Sequence, residues 1–140
     1  MITLSDTLDT PTDEQRMIAD SARAFFADAR GAARARALRG YQPGYCPETW
    51  REMAELGWVG LRVPEAFGGS AGRFEEFAVL AEYCGSALAP EPLLEVGLLG
   101  AGVLARAANE PLKNAGLPQI VAGEKTVMLA WQEPGRGQNA

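Results

Sequence analysis

The sequence predicts an all-α domain with the beginning of a β-segment at its end. Apolar residues recur at helical spacing in five stretches between residues 12 and 121, and proline or glycine separates each stretch from the next. Only the last fifteen residues change character, with a β-branched start and a proline-glycine turn. We therefore expect an N-terminal helical bundle over residues 1–125, and one C-terminal β-strand with a following loop over residues 126–140.

The composition favours one soluble domain. The chain has 140 residues, of which 47% are hydrophobic, and this is enough for a core. Its formal net charge of −5 disfavours nucleic acid or an anionic membrane as the main partner. The one basic cluster, which we interpret as a solvated face or a linker, consists of Arg30, Arg34, Arg36 and Arg39.

The sequence contains no recognisable secretion or metal-binding pattern. Its N-terminus lacks the basic and apolar regions of a secretory signal, and its longest uncharged apolar run, residues 96–105, is too short to span a bilayer. We therefore expect a cytoplasmic protein. Cys46 and Cys84 are isolated and histidine is absent, so we expect reduced thiols and no metal site. Without histidine, proton chemistry needs a carboxylate, a lysine or groups outside this chain.

The first two helices have clear boundary signals. Thr12 and Gln15 have the spacing of a capping box at the start of the first helix. The apolar stripe expected to face the core comprises Ile18, Ala22, Phe25 and Ala29, with Phe26 beside it. The second helix begins at Pro47 and ends at Gly57. We expect an ordered loop over residues 58–72 and a third helix directly after it.

The fourth helix, predicted from Leu93 to Ala108, is apolar nearly all round. We therefore expect it at the centre of the bundle. Gly97, Gly100 and Gly102 lie within it, and each costs about 1 kcal/mol relative to alanine in a helix. Something should therefore approach this backbone closely. A packed neighbouring helix is the simpler explanation, and a bound apolar ligand is the alternative.

The predicted strand follows a short fifth helix that runs from Pro111 towards Val121. The stretch "TVMLAW" has a β-branched start, and "EPGR" places proline and glycine as a type II turn requires. A lone strand leaves its N–H and C=O groups unpaired. We therefore expect the partners of this strand to lie outside the chain.

The glycine clusters do not match nucleotide-binding motifs. "GLLGAG" has the reverse order of the dinucleotide-binding fingerprint and lies within a predicted helix. "FGGSAGR" lacks the lysine and the hydroxyl group of a P-loop. Glu133 stands beside a tight turn without a visible partner, which favours a turn-stabilising role over a catalytic one.

Three stretches together resemble the flavin-dependent acyl-CoA dehydrogenases. "LGWVGLRVPEAFGG" is similar to the family's loop between early helices, and "LPQIVAGEK" is similar to its approach to the middle domain. "LAWQEPGRGQN" resembles the flavin-facing strand and loop, commonly T-E-P-x-A/G-G-S-D. With the opening "TDEQRMIADSARAF", the order and spacing of these stretches span nearly the whole chain.

The resemblance implies a particular architecture and reaction. In that family an N-terminal helical domain precedes a β-barrel-like middle domain and a C-terminal four-helix domain. This chain would then be roughly the first third of an enzyme, with its strand the first of the middle domain. The family reaction is the α,β-dehydrogenation of an acyl-CoA thioester with FAD as cofactor. The family's catalytic glutamate belongs to a segment beyond these residues, so the resemblance implies no catalytic residue in this chain.

The resemblance also implies two groups of binding residues. The implied flavin contacts are Leu129, Trp131, Gln132, Glu133, Gly137 and Gln138. The implied wall for the acyl chain comprises Leu94, Leu98 and Ala101, with Gln138 approaching the thioester. These assignments shift the interpretation of the glycine-bearing helix towards a ligand.

The chain departs from the family pattern at the flavin loop. Gln132 stands where a threonine usually bonds the flavin, and Gln138 and Asn139 replace a Ser-Asp pair. An amide can donate a hydrogen bond as a hydroxyl does, but it is larger. A second interpretation is therefore a non-catalytic helical subunit that helps to assemble a heteromeric acyl-CoA dehydrogenase. Under both interpretations the partner is the remainder of the enzyme or another subunit, in a homo- or hetero-oligomer.

Overall fold

The computed structural model describes residues 10–27 and 31–130, and every regular element in these ranges is helical. Six α-helices, one 3₁₀ turn and one π-helix make up the described part of the fold. In chain order they are α1 (Asp13–Phe25), α2 (Ala32–Leu38), α3 (Pro47–Glu55), the 3₁₀ turn (Glu65–Phe67), α4 (Phe74–Ser86), the π-helix (Leu94–Gly100), α5 (Ala101–Arg106) and α6 (Glu110–Val121). The all-α prediction is confirmed.

The predicted strand is not formed in the part of the chain that the structure describes. Residues 125–130 have no regular secondary structure, and Trp131 to Ala140 lie outside the described residues. The physical reason is that a strand requires a second strand to pair with its N–H and C=O groups. The described ranges contain no such partner. The domain boundary at residue 125 remains a prediction.

The predicted capping box is present at the start of α1. The Gln15 backbone N–H donates to Thr12 Oγ1 at 3.2 Å, and the Thr12 N–H donates to Gln15 Oε1 at 2.8 Å. The buried face of this helix shares Ala22 with the predicted stripe, while Ala29 lies outside the described residues. Ala19 and Ala22 are buried against α4, whereas Ile18 is only half-buried. The cap therefore sets the helix start, and small residues allow close helix packing.

The main core lies between α3, α4, the π-helix and α6. Its largest fully buried side chains are Phe77, Met53, Leu80, Leu93, Leu117, Ile120, Val59, Val63, Val79 and Val96. Trp50 connects this core to the end of α6, since its indole Nε1 donates to the Gly123 carbonyl at 3.1 Å. Trp58 packs edge-to-face on Phe25, with ring centroids 5.0 Å apart, and so joins α1 to the loop after α3.

Residues 32–38 form α2, which lies within the arginine-rich stretch that was expected to be a solvated face or a linker. That interpretation holds for Arg36 and Arg39, which are exposed, but it is wrong for Arg34. The Arg34 side chain is only 20% exposed and pairs with Glu91, whose side chain is fully buried. Arg30 lies outside the described residues. One inward arginine therefore attaches this helix to the domain.

Arg34 and Glu91 form the centre of a buried polar network. Arg34 Nη1 donates to Glu91 Oε2 at 3.2 Å, and Nη2 donates to Glu91 Oε1 and, at 3.1 Å, to Thr49 Oγ1. The Cys46 backbone N–H donates to Glu91 Oε1 at 3.2 Å. The hydrogen bonds to Glu91 raise the pKa of Arg34 above its ordinary value. The network joins α2, the start of α3 and the loop between α4 and the π-helix.

The glycine-bearing helix is not buried on all sides, which corrects the prediction made for it. Leu93, Val96 and Ala101 are fully buried, but Leu99 and Val103 are 43% and 52% exposed. Its apolar surface therefore serves two purposes. One side fills the core, and the other remains open along the described part of the domain.

The two sides of this helix should respond differently to the same substitution. We expect Val96→Asp to lower the free energy of unfolding by about 4 kcal/mol, because it buries an unpaired carboxylate. The matched control is Val103→Asp on the exposed side, for which we expect a change of about 0.5 kcal/mol or less. Urea unfolding followed by circular dichroism measures both variants. Equal losses at the two positions would contradict the assignment of the buried side.

The Arg34–Glu91 pair should give a non-additive double-mutant cycle. Arg34→Met leaves the Glu91 carboxylate buried without its partner, and we expect a loss of about 3 to 5 kcal/mol. Combining it with Glu91→Leu should recover most of that loss, because the buried charge is removed. Arg36→Met, on the exposed side of α2, is the matched control and should be neutral. Urea unfolding of the four variants is the measurement, and additive losses at Arg34 and Glu91 would show that the pair is not coupled.

Candidate functional site

A cleft of about 450 Å³ opens where the loops before α3 and after α4 meet the start of the π-helix. We call it the Pro90 cleft. Its lining combines proline- and glycine-rich backbone with apolar side chains and two carboxylates, and consists of Pro43, Gly44, Tyr45, Ala89, Pro90, Glu91, Pro92, Leu94, Glu95 and Met128. The Glu91 carboxylate is bound by Arg34, whereas Glu95 is exposed. The cleft therefore combines apolar and polar surface in similar shares, with one exposed negative charge at the π-helix.

The glycines of the π-helix allow close approach by the protein's own backbone. A β-carbon at Gly100 would clash with the Val127 carbonyl oxygen, and one at Gly97 would lie 3.2 Å from the Val59 carbonyl oxygen. At Gly102 a β-carbon would meet only the Arg106 guanidinium, at 3.5 Å. The chain itself thus occupies the space beside Gly97 and Gly100. The simpler explanation of these glycines is correct in kind: loop backbone makes the closest contacts, and the Phe77 side chain of α4 would lie 3.4 Å from a β-carbon at Gly97.

The residues predicted to form the acyl-chain wall differ in exposure. Leu94 is 42% exposed and lines the Pro90 cleft beside Met128. Leu98 is half-buried and packs against the core, whereas Ala101 is fully buried within it. Gln138 lies outside the described residues. Leu94 is therefore the predicted wall residue that the structure brings into the cleft.

Of the predicted flavin contacts, only Leu129 falls within the described residues. It is 45% exposed and follows Met128, which lines the Pro90 cleft. Its exposed apolar surface is compatible with contact to a flat aromatic cofactor. Outside the described residues lie the other predicted contacts, Trp131, Gln132, Glu133, Gly137 and Gln138. The flavin site as a whole remains a prediction.

The cysteines have structural surroundings. Burial raises the pKa of the Cys84 thiol to about 12, and the nearby negative charge of Glu91 adds to this effect. Cys46 is half-buried, and its thiol lies 3.2 Å from Glu48 Oε2. In residues 10–27 and 31–130 no cluster of three or more His, Cys, Asp and Glu side chains could hold a metal ion.

Sequence reasoning missed several residues of the cleft. Tyr45, Glu91 and Met128 come from separate segments, and no local pattern connects them. The signal that could have pointed to this place is the pair of prolines at 90 and 92, which follow the third predicted helix. Between these prolines, Glu91 makes the ion pair that holds the loop against α2 and α3.

No helix among the described residues has the length and hydropathy needed to cross a membrane.

The family model for the acyl-CoA dehydrogenase N-terminal domain matches residues 12–124. Among curated relatives, acyl-CoA dehydrogenase IpdE2 of Mycobacterium tuberculosis is 33% identical over 99 residues. That match covers 70% of this chain and 31% of the relative.

Solved structures agree in fold. The ChsE4-ChsE5 complex from Mycobacterium tuberculosis has a chain that aligns with a TM-score of 0.78 and 25% identity, over 91% of this chain and 35% of its own length. An acyl-CoA dehydrogenase from Bacillus anthracis, complexed with FAD, aligns with a TM-score of 0.77 and 27% identity, over 94% of this chain and 22% of its own length.

The present chain thus spans about a third of the length of the first curated relatives that it matches. The family match extends from the capping box of α1 to the end of α6, and so includes every helix described above. Leu94, Leu98 and Ala101 all lie within the matched range. The chain belongs to the acyl-CoA dehydrogenase family and corresponds to its N-terminal helical domain.

Proposed function

We propose that this chain supplies the N-terminal helical domain of an FAD-dependent acyl-CoA dehydrogenase. Such an enzyme removes hydrogen from Cα and Cβ of an acyl-CoA thioester. The observation that carries the proposal is the family match over residues 12–124, which includes the glycine-bearing helix and every lining residue of the Pro90 cleft except Met128. The FAD complex of the Bacillus anthracis relative supports the choice of cofactor.

In this proposal the chain binds and orients the substrate and provides no catalytic base. A bound FAD would supply the hydride-accepting chemistry at Cβ. Removal of the α-proton requires a positioned base. Glu91 cannot serve, because Arg34 and the Cys46 N–H already engage its carboxylate. We assign no catalytic role to residues of this chain, because the resemblance implies that the family's catalytic glutamate belongs to a segment beyond it.

The acyl chain is assigned to the exposed side of the π-helix at the Pro90 cleft. Leu94 and Met128 offer apolar surface there, and burying an aliphatic chain against such surface is favourable by about 25 cal/mol per Å². Leu98 is half-buried and packs against the core. Ala101 contributes its small size, which lets the helix lie close to the core. Gln138 is assigned to the thioester end of the substrate.

The flavin contacts are assigned to the segment that leaves the helical domain after α6. Its first part, residues 125–130, passes the π-helix at Gly100 and exposes Leu129. Trp131, Gln132, Glu133, Gly137 and Gln138 continue the proposed set. The proposal places the complete enzyme in the cytoplasm, as a homo- or hetero-oligomer.

A second candidate function is a helical subunit that assembles a heteromeric dehydrogenase without holding flavin itself. Two observations favour it. The ChsE4-ChsE5 relative is a complex of two different proteins. In addition, Gln132, Gln138 and Asn139 replace residues that usually contact the flavin in the family.

The 140-residue chain, purified alone, should neither retain FAD nor oxidise acyl-CoA. A flavin needs donors on both sides of its ring and an anchor for its adenosine end, and the chain offers one short segment. The visible absorption spectrum and an electron-acceptor assay with a panel of acyl-CoAs measure this. The FAD-binding relative from Bacillus anthracis, prepared in the same way, is the positive control. A yellow protein with turnover would overturn the assignment of the chain as a binding domain without a base.

Substitution at Gln132 distinguishes the two candidate functions. With Gln132→Thr introduced into the gene in its native cells, the isolated assembly should keep or raise its flavin content, because threonine restores the family's usual donor. Flavin per mole of chain, measured by absorbance after denaturation, is the readout, and Asn114→Thr on α6 is a matched surface control. Loss of flavin on the Gln132 change would show that the amide has a role of its own. An assembly without flavin in both forms would favour the second function.

A further inference from the structure

The chain leaves α6 through a tight turn that packs against α3. Gly123 has a φ of +73°, in the left-handed region that favours glycine. The Glu124 and Lys125 N–H groups both donate back to the Gln119 carbonyl, at 3.0 and 3.1 Å. A β-carbon at Gly123 would lie only 2.8 Å from the β-carbon of Ala54 on α3. The direction in which the chain leaves α6 is therefore set by its fit to α3.

A side chain of α3 holds this turn by a hydrogen bond. The Trp50 indole Nε1 donates to the Gly123 carbonyl at 3.1 Å, although the two residues are 73 positions apart in the sequence. The indole is itself held in place, because Trp50 is 3% exposed and the Tyr45 ring packs edge-on against it with centroids 6.0 Å apart. Trp50 therefore fixes a carbonyl at the start of the segment that follows α6.

This segment, residues 124–130, is called the exit segment, and it contacts the domain again at Val127. The Val127 side chain packs against the core, and its carbonyl oxygen would clash with a β-carbon at Gly100. Residues 124–126, between these two anchors, are exposed. The four steps from Gly123 to Val127 span at most about 14 Å of extended chain. The place of the Gly123 carbonyl therefore limits where Val127 can lie on the π-helix.

The residues that follow Val127 depend on the same anchors. Met128 lines the Pro90 cleft, and Leu129 is the first of the proposed flavin contacts. Leu129 lies at most about 7 Å along the chain from Val127. A binding site needs its contacts within about 0.5 Å of the productive geometry. A bond that fixes the turn at Gly123 therefore affects how precisely Leu129 is placed.

We propose that Trp50 is a positioning residue for the flavin, because its indole N–H fixes the point from which the flavin-facing residues leave the helical domain. The inference rests on the proposed function, since it takes Leu129 and the residues after it as flavin contacts. Trp50 touches neither substrate nor cofactor in this proposal. It acts through Gly123, and Tyr45, a wall residue of the Pro90 cleft, holds the indole in its orientation.

The anchoring is tested in the 140-residue chain with Trp50→Phe, which keeps a buried ring and removes the donor. Amide hydrogen exchange compares Glu124 and Lys125 with Val79 and Leu80 in the buried part of α4. We expect the ratio of these exchange rates to rise about tenfold, because the turn opens while the domain stays folded. A general loss of stability would accelerate the α4 amides at least as much, and so would not raise the ratio.

The matched control is Trp58→Phe. Trp58 is also 3% exposed, but it packs on Phe25 and Phe26 of the α1 region and not on the exit segment. This variant loses an indole of equal burial. The exchange ratio should therefore remain that of the parent.

A second variant opens the same turn from the opposite partner. Gly123→Ala places a β-carbon against Ala54, and it should raise the ratio as Trp50→Phe does. Its control is Gly57→Ala, at a glycine with a similar φ of +78° and open space around the added carbon. Both changes carry the same backbone strain, but only the change at Gly123 should act on the exit segment.

The flavin role is tested with Trp50→Phe and Trp58→Phe introduced into the gene in its native cells. In the isolated assembly, Trp50→Phe should lower the flavin per mole of chain at least about threefold. It should also shift the visible absorption band of the flavin that remains, because the surroundings of the ring change. Trp58→Phe should leave both quantities unchanged. A purely structural role of Trp50 would lower the yield of assembly without moving the absorption band.

The outcomes separate the inference from the proposed function. A raised exchange ratio together with flavin loss and a shifted band in Trp50→Phe alone supports the inference. An unchanged ratio in both Trp50→Phe and Gly123→Ala overturns it and leaves the proposed function intact. A raised ratio with unchanged flavin content and band overturns the positioning role alone. A parent assembly without flavin overturns the flavin-binding form of the proposed function, together with the inference, whatever the exchange ratio.

Discussion

The ion pair between Arg34 and Glu91 determines how the peripheral parts of the domain attach to its core. Glu91 is fully buried, and its carboxylate receives hydrogen bonds from the Arg34 guanidinium and from the Cys46 backbone. A buried charge without such partners would be strongly destabilising. Since Glu91 stands between Pro90 and Pro92, the same bonds hold the loop that forms one wall of the cleft. The α2 helix, the start of α3 and the cleft therefore depend on one carboxylate.

The sequence predicted those helix boundaries that depend on hydrogen bonds between neighbouring residues. It did not predict the helix whose attachment depends on a residue far away in the sequence. The capping box at Thr12 formed as its spacing indicated, because its bonds join residues three apart. The α2 helix was not predicted, since its alanines and arginines have no apolar period and its attachment is through Glu91, 57 residues away. The π-helix was hidden for another reason. A segment that is apolar nearly all round shows no hydrophobic periodicity, so its sequence does not reveal whether it forms an α-helix or a π-helix.

The candidate site divides in the same way. The resemblance indicated Leu94 as a residue of the acyl-chain wall, which remains a prediction, and the structure places Leu94 in the lining of the Pro90 cleft. Tyr45 and Met128 could not be assigned to the cleft from the sequence, since they come from segments without regular structure that fold back to the π-helix. The resemblance also drew attention to Ala101, which the structure buries completely. A buried alanine affects packing through its small size. A sequence resemblance does not distinguish such a packing residue from one that contacts a ligand.

The contact between the Val127 carbonyl and Gly100 has a consequence for how this protein can evolve. It is a contact of backbone with backbone, so the side chain at position 127 takes no part in it. Any side chain at position 100 would meet the carbonyl oxygen, whereas many side chains could stand at 127 without altering the junction. The contact therefore restricts the side chain at position 100 and does not restrict the side chain at position 127. The contact would select against any side chain at residue 100, whereas residue 127 is constrained only by the packing of its own side chain against the core, although the two residues meet at the same point.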